Sequence, residues 1–312
     1  MTVKRNNLFF MLFAILFTGG AMLAGVLLPR WGLSSVVPYL ICFVIGLGML
    51  KKDGTPLSSV LPFRVPPKAV TLLLTVALVF LLMPLSDLLS SLGAALGGDF
   101  LSGLTQRTAD SSKTFIERLF ETAIVPAVFE EMYFRGFFYA GFKRARGTRF
   151  AILFTAVVFG VFHANLQQML YAVMLGAVIA VLRELTGSMW AGCLFHFVNN
   201  GWFVLTAALS AKASTAAIVE KLPMERILYW AQAGQTPSAG TRVYSWAMLA
   251  VCTALAAFVL CLIARREGHW DTYKRFFKNA DAPKERVITV PLIIGCLFLL
   301  GLLVVMTQAM RF

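Results

Sequence analysis

Apolar runs long enough to cross a bilayer follow one another along this chain, and that constrains its fold more than any other feature. A spanning helix needs about 20 mainly apolar residues. Runs near that length occupy residues 8–28, 33–50, 69–89, 115–142, 150–163, 166–183, 189–209, 244–264 and 287–308. Of the 312 residues only 14% are charged while 59% are hydrophobic, with a mean hydropathy of +0.77. A soluble globular domain and a disordered chain are both excluded by that balance. The expected fold class is all-α, a polytopic integral membrane bundle of about eight or nine transmembrane helices. There is no internal repeat and no low-complexity tract.

The formal charge is +13. In a chain of this hydropathy the basic residues read as membrane-surface residues and not as a nucleic-acid site. With the N-terminus on the cytoplasmic side and nine spans, 18 of the 28 Lys and Arg residues fall on the cytoplasmic side and nine on the other, with Arg135 left inside a span. That bias obeys the positive-inside rule. Lys4 and Arg5 precede a long apolar run with no clear small-residue cleavage site, so 8–28 is expected to be a retained first helix. The five cysteines, Cys42, Cys193, Cys252, Cys261 and Cys296, all sit in apolar stretches without CxxC spacing and read as small packing residues.

The fourth span, 115–142, breaks the pattern because it carries Glu117, Glu121, Glu130, Glu131 and Arg135. A charge at mid-bilayer costs about 2.5–3.5 kcal/mol on insertion scales, so something must offset it. Glu131 and Arg135 stand four apart with the acid N-terminal, the favourable order for a helical pair. That leaves Glu130 without a partner in its own helix, four residues beyond the potential kink at Pro126. An unpaired intramembrane carboxylate is by default a functional residue.

Two of the three histidines, His163 and His196, also lie in spans, with His269 in a loop. At a 1.5 Å rise per residue, Glu130 is about 18 Å from the cytoplasmic end of its helix, His163 about 20 Å, Asn200 about 16 Å and His196 about 10 Å. Glu130, His163 and Asn200 are therefore expected at one level near mid-bilayer, with His196 about one turn below. Phe159 shares a helix face with His163, and His196 shares one with Asn200.

The motifs are EExxxR at Glu130–Arg135, FxxxH at Phe159–His163 and HxxxN at His196–Asn200. In this order, each in its own apolar helix, they resemble the CPBP family of intramembrane proteases, which includes the type II CAAX prenyl endopeptidases. The likeness covers about 115–205. It divides the chain into N-terminal transmembrane helices and loops (1–114), a catalytic helical core (115–209), and a polar loop with C-terminal transmembrane helices (210–312). The resemblance implies an endopeptidase acting on a membrane-anchored protein or peptide. It makes Glu130 the base that activates water. His163 holds that water or donates a proton, His196 and Asn200 stabilise the oxyanion, and Glu131 and Arg135 fix the helix and aim Glu130. Glu130, His163 and His196 also have the composition of a His₂Glu zinc site. The HExxH helix of many zinc proteases is absent, and Glu130 cannot easily serve as both ligand and base. No cofactor is therefore favoured, with zinc as the alternative.

Other readings remain beside this one. A non-proteolytic member of the same family, a bacteriocin self-immunity protein or scaffold, would keep the same residues. A transporter is expected to show repeated spans, and none is seen. A rhomboid-like serine site needs a Gly-x-Ser elbow with a helix His, and that combination is not found. The basic and aromatic stretch 265–286 reads as a segment lying on anionic lipid, and 210–243 as a connector or a gate for substrate. The composition and short loops suggest a bacterial inner membrane.

Overall fold

Apolar runs punctuated by short basic turns fold here into helices. The computed structural model describes residues 1–27, 36–101, 103, 113–211, 239–277 and 285–309. Residues 104–112, most of the 210–243 loop and 278–284 lie outside the described residues. Among the described residues there is no strand. The long helices are α1 (Val3–Leu27), α2 (Val37–Lys52), α3 (Ala69–Gly97), α4 (115–146), α5 (148–162), α6 (Leu166–Thr186), α7 (Trp190–Ser210), α8 (Ala239–Arg266) and α10 (Val290–Ala309), with the short α9 (Trp270–Phe277) before the last.

Among the described residues, seven helical runs are long and apolar enough to cross a membrane. One of them, Phe115–Phe162, has 48 residues, too many for a single crossing at about 1.5 Å per residue. Gly147 divides it into α4 and α5, with φ 83° and ψ 175°, a conformation essentially reserved for glycine. The ring pairs Phe142–Phe154 (4.7 Å) and Phe134–Phe159 (5.0 Å) show that the halves return antiparallel. The basic turn expected at 143–149 is thus a one-residue break at the end of a helix. α2, of 16 residues, is shorter than the usual span of about 20 and packs beside α1. Among the described residues each of the nine runs expected from hydropathy overlaps a helix, and the chain is an integral membrane protein.

One end of the bundle gathers most of the basic residues. There the N-terminal amine donates to Thr55 Oγ1 (2.8 Å), Arg5 pairs with Asp53, Arg144 donates to the Met1 carbonyl, and Lys143 pairs with Glu184 (2.7 Å). The Glu285 N–H reaches the Ala145 carbonyl (3.1 Å), and the Lys68 N–H reaches Glu267 (3.0 Å). These links join the start of α1, the end of α2, the start of α3, the α4–α5 turn, the end of α6, the end of α8 and the approach to α10.

Lipid tails are as apolar as leucine, so helix association in a bilayer rests on close packing and not on escape from water. The interior reflects this. Phe9, Phe10 and Phe13 of α1 meet Tyr133, Phe134, Phe137 and Phe138 of α4, with ring centroids between 4.5 and 6.2 Å in Phe13–Tyr133 and Phe9–Tyr133. Residues Met132–Phe138 form a π-helical stretch in which all seven residues are buried. A second cluster joins α3, α6, α7 and α8 through Leu78, Leu82, Ile179, Leu182, Phe195 and Ile263. The polar residues of the motifs lie at the seam between these two cores.

Candidate active site

Glu130 and Glu131 close the α-helical segment Val125–Glu131, which is flanked by π-helical turns at Phe120–Ile124 and Met132–Phe138. Such wide turns occur often at functional sites. Pro126 stands at the start of this segment, directly after the first wide turn. The irregularity anticipated at the proline is thus a change of helix type.

The two adjacent carboxylates point to different partners. Glu131 is fully buried. Its Oε1 accepts from Arg135 Nη1 at 3.1 Å and from His196 Nδ1 at 2.8 Å. The expected Glu131–Arg135 pair therefore forms, and His196 of α7 joins it. The Arg135 guanidinium is 1% exposed and lies 4.2 Å from the Phe159 ring centroid, so a cation–π contact supplies its other face. Gly176 of α6 makes room for it, since a Cβ there would stand 2.9 Å from Nη2.

Glu130 is also buried, and its Oε1 accepts a hydrogen bond from the Tyr39 hydroxyl of α2 at 2.7 Å. Among the described residues its Oε2 has no hydrogen-bond partner, and it stands 3.9 Å from His196 Nε2. The long Glu130 side chain thus meets the ring of His196, the residue expected about one turn below it.

Partners settle which ring nitrogens carry hydrogen. His163, which caps α5, has Nδ1 2.8 Å from the Phe159 carbonyl. A carbonyl only accepts, so Nδ1 is the donor and Nε2 of the neutral ring holds the lone pair. The same reasoning against the Glu131 carboxylate gives His196 a donating Nδ1. Phe159 lies edge-on to both imidazoles, with centroids 4.9 Å from His163 and 5.8 Å from His196.

His163, His196 and Asn200 line one cavity of about 230 Å³ between α3, α6 and α7, with Ser86, Gln168 and Phe203 among its other walls. The Asn200 amide donates to the Thr122 carbonyl at 3.0 Å, within the first wide turn, and Asn199 donates to Asn200 Oδ1 at 3.1 Å. The structure thus brings Glu130, Glu131, Arg135 and His196 into one linked cluster. His163 and Asn200 reach it through the cavity that His196 shares with them. Among the described residues no three His, Cys, Asp or Glu side chains stand where they could hold a metal ion. Glu130, His163 and His196 offer the donor types of a zinc site without its convergence.

The sequence reading missed Tyr39. Its sole sequence signal is weak: a tyrosine in an apolar run has a hydroxyl that needs a partner when buried.

Comparison with known proteins agrees with this geometry. The family model described as type II CAAX prenyl endopeptidase Rce1-like matches residues 111–202, which include all seven motif residues. A Bacillus subtilis (strain 168) protein named "Putative membrane peptidase YdiL" is 24% identical over 196 residues, covering 62% of this chain and 80% of that protein. No solved structure matches the chain. With EExxxR, FxxxH and HxxxN intact and lying within the matched residues, the chain is similar to the CPBP family over residues 111–202.

Proposed function

We propose that the chain is an intramembrane endopeptidase that hydrolyses a peptide bond in a membrane-associated or lipid-anchored protein, using water activated by Glu130 and no metal. One observation carries this reading: a buried carboxylate with one oxygen held by Tyr39 and the other open beside His196. The description of the matching family and the name of the relative, both of which say peptidase, support the reaction class.

In this reading Glu130 Oε2 takes a proton from water as the water oxygen bonds to the peptide carbonyl carbon. His163 Nε2 accepts the water's second hydrogen and orients it. The carbonyl oxygen becomes an oxyanion, met by an Asn200 amide hydrogen and by His196 as imidazolium, whose charge the Glu131 carboxylate offsets. Collapse breaks the C–N bond as the proton on Glu130 passes to the leaving nitrogen. The products are a new carboxyl terminus and a new amine.

The basic end is the cytoplasmic one in this reading, which places the N-terminus inside, in a bacterial inner membrane. Residues 265–277, the described and largely helical part of the basic stretch, then lie on anionic lipid. Reporter fusions after residues 52 and 97 test the orientation, since opposite compartments are expected.

The deciding experiment compares membrane-peptide termini across the proteome of cells carrying the wild type or Glu130→Gln. New termini that vanish with the variant are expected. Identical termini would remove the protease reading, and a phenotype surviving the substitution would favour a scaffold or self-immunity protein. Metal analysis of active purified protein tests the metal-free chemistry: stoichiometric zinc, or loss of activity with a chelator, would overturn it.

A further inference from the structure

Tyr39 lies on α2, outside residues 111–202 that match the family model. It is nevertheless the residue whose hydroxyl hydrogen-bonds the Glu130 carboxylate, at 2.7 Å. Its side chain is held on every face. The ring stacks on Phe129 (5.3 Å, 17°) and on Tyr133 (6.2 Å, 14°), and Phe17 of α1 closes the remaining side at 4.5 Å. Its backbone is held too, because the Tyr133 hydroxyl donates to the Tyr39 carbonyl. Phe129, Glu130 and Tyr133 are all on α4, so one turn of α4 and the first turn of α2 clasp each other reciprocally.

The arrangement has a chemical consequence. A carboxylate has two equivalent oxygens and rotates about its last bond. A donor fixed on Oε1 removes that freedom and leaves Oε2 as the basic oxygen, on the side of His196. The hydrogen bond is charge-assisted and buried, the class with the largest effect on geometry. We propose that Tyr39 is a positioning residue for Glu130, contributed by the N-terminal helices, which selects the carboxylate oxygen that acts as base. This rests on the reading of Glu130 as the base.

The test uses Tyr39→Phe, which keeps the stacked ring and removes one hydroxyl. Tyr133→Phe is the structural control, because it removes the hydroxyl that clamps α2 without touching Glu130. Both full-length proteins are assayed on peptides whose cleavage depends on Glu130 in the terminus comparison. For Tyr39→Phe, kcat is expected to fall about 10- to 100-fold, with KM and melting temperature close to wild type. For Tyr133→Phe, a lower melting temperature is expected with kcat per folded molecule retained. Wild-type kcat in Tyr39→Phe, with Glu130→Gln inactive, would overturn the role of Tyr39 and leave the base intact. Parallel loss of melting temperature and kcat in both variants would also overturn it, reducing the clasp to packing. A Glu130→Gln protein that cleaves like wild type would overturn both readings.

Discussion

Glu131 Oε1 lies 2.8 Å from His196 Nδ1, although 65 residues separate them in the chain. Oε1 of this fully buried carboxylate also receives Arg135. Glu131 therefore holds the ring of His196 as well as the Arg135 guanidinium. It holds the Nδ1–H and the plane of the ring, as a carboxylate does behind many catalytic or metal-bound histidines.

Glu131→Gln should accordingly leave the helices packed and impair the chemistry. A glutamine can keep its carbonyl in the place of Oε1, but it brings no negative charge to Arg135 and His196, so both are held less firmly. A fall in kcat of about 10²-fold or more is expected, by analogy with other oriented histidines. Single-turnover kinetics on the cleaved peptide, beside a melting curve in detergent, would check it. Unchanged kcat would show that His196 needs no orientation.

Arg135 separates stability from catalysis. Its guanidinium is 1% exposed and has the Glu131 carboxylate and the Phe159 ring as its partners. Arg135→Ala strands a buried carboxylate, an effect of about 3–5 kcal/mol when one member of a buried pair is removed. The double substitution Glu131→Leu with Arg135→Met removes both charges and should recover much of the melting temperature. Activity should stay lost, because His196 then has no acceptor. A double variant as unstable as Arg135→Ala would show that the loss is packing around Phe159 and Gly176.

The same residues show what hydropathy and spacing can and cannot reveal. The helices were legible because insertion into lipid demands runs of a set length. Glu130, Glu131, Arg135, His163 and His196 stood out because charge and imidazole are costly there. Glu131–Arg135 was legible because its geometry is internal to one helix. Tyr39 was not, since its bond to Glu130 spans 91 positions and joins helices whose relative heights no intrahelical arithmetic supplies. The link from His196 to Glu131 was hidden for the same reason. The Gly147 reversal was half legible: a basic turn was evident between two apolar runs, but not its compression into one residue.

That reversal is testable by itself. Gly147 holds φ 83° and ψ 175°, a region that costs a residue with a Cβ about 1–3 kcal/mol. Gly147→Ala should lower the melting temperature by a corresponding amount while activity per folded molecule persists, because the turn lies at the basic end, far from Glu130. Neighbouring Arg146→Ala should leave the melting temperature near wild type. A Gly147→Ala protein as stable as wild type would mean that α4 and α5 can join through an ordinary turn.

The cavity offers the sharpest separation of binding from chemistry. Its volume is about 230 Å³, and Ser86 of α3 lines it together with His163 and His196. Replacing Ser86 by Phe puts an aromatic ring into that space without altering any polar residue of the motifs. If the peptide segment to be cleaved enters there beside His163 and His196, KM should rise about tenfold or more, the effect of removing binding shared by substrate and transition state. The value of kcat at saturation should change far less, and the melting temperature should hold. A Ser86→Phe protein with wild-type KM would send the substrate to the cluster by another route. The apolar groove formed by Pro67, Val128, Trp190 and Phe197 on the flank of α4 and α7 would then be the next wall to block.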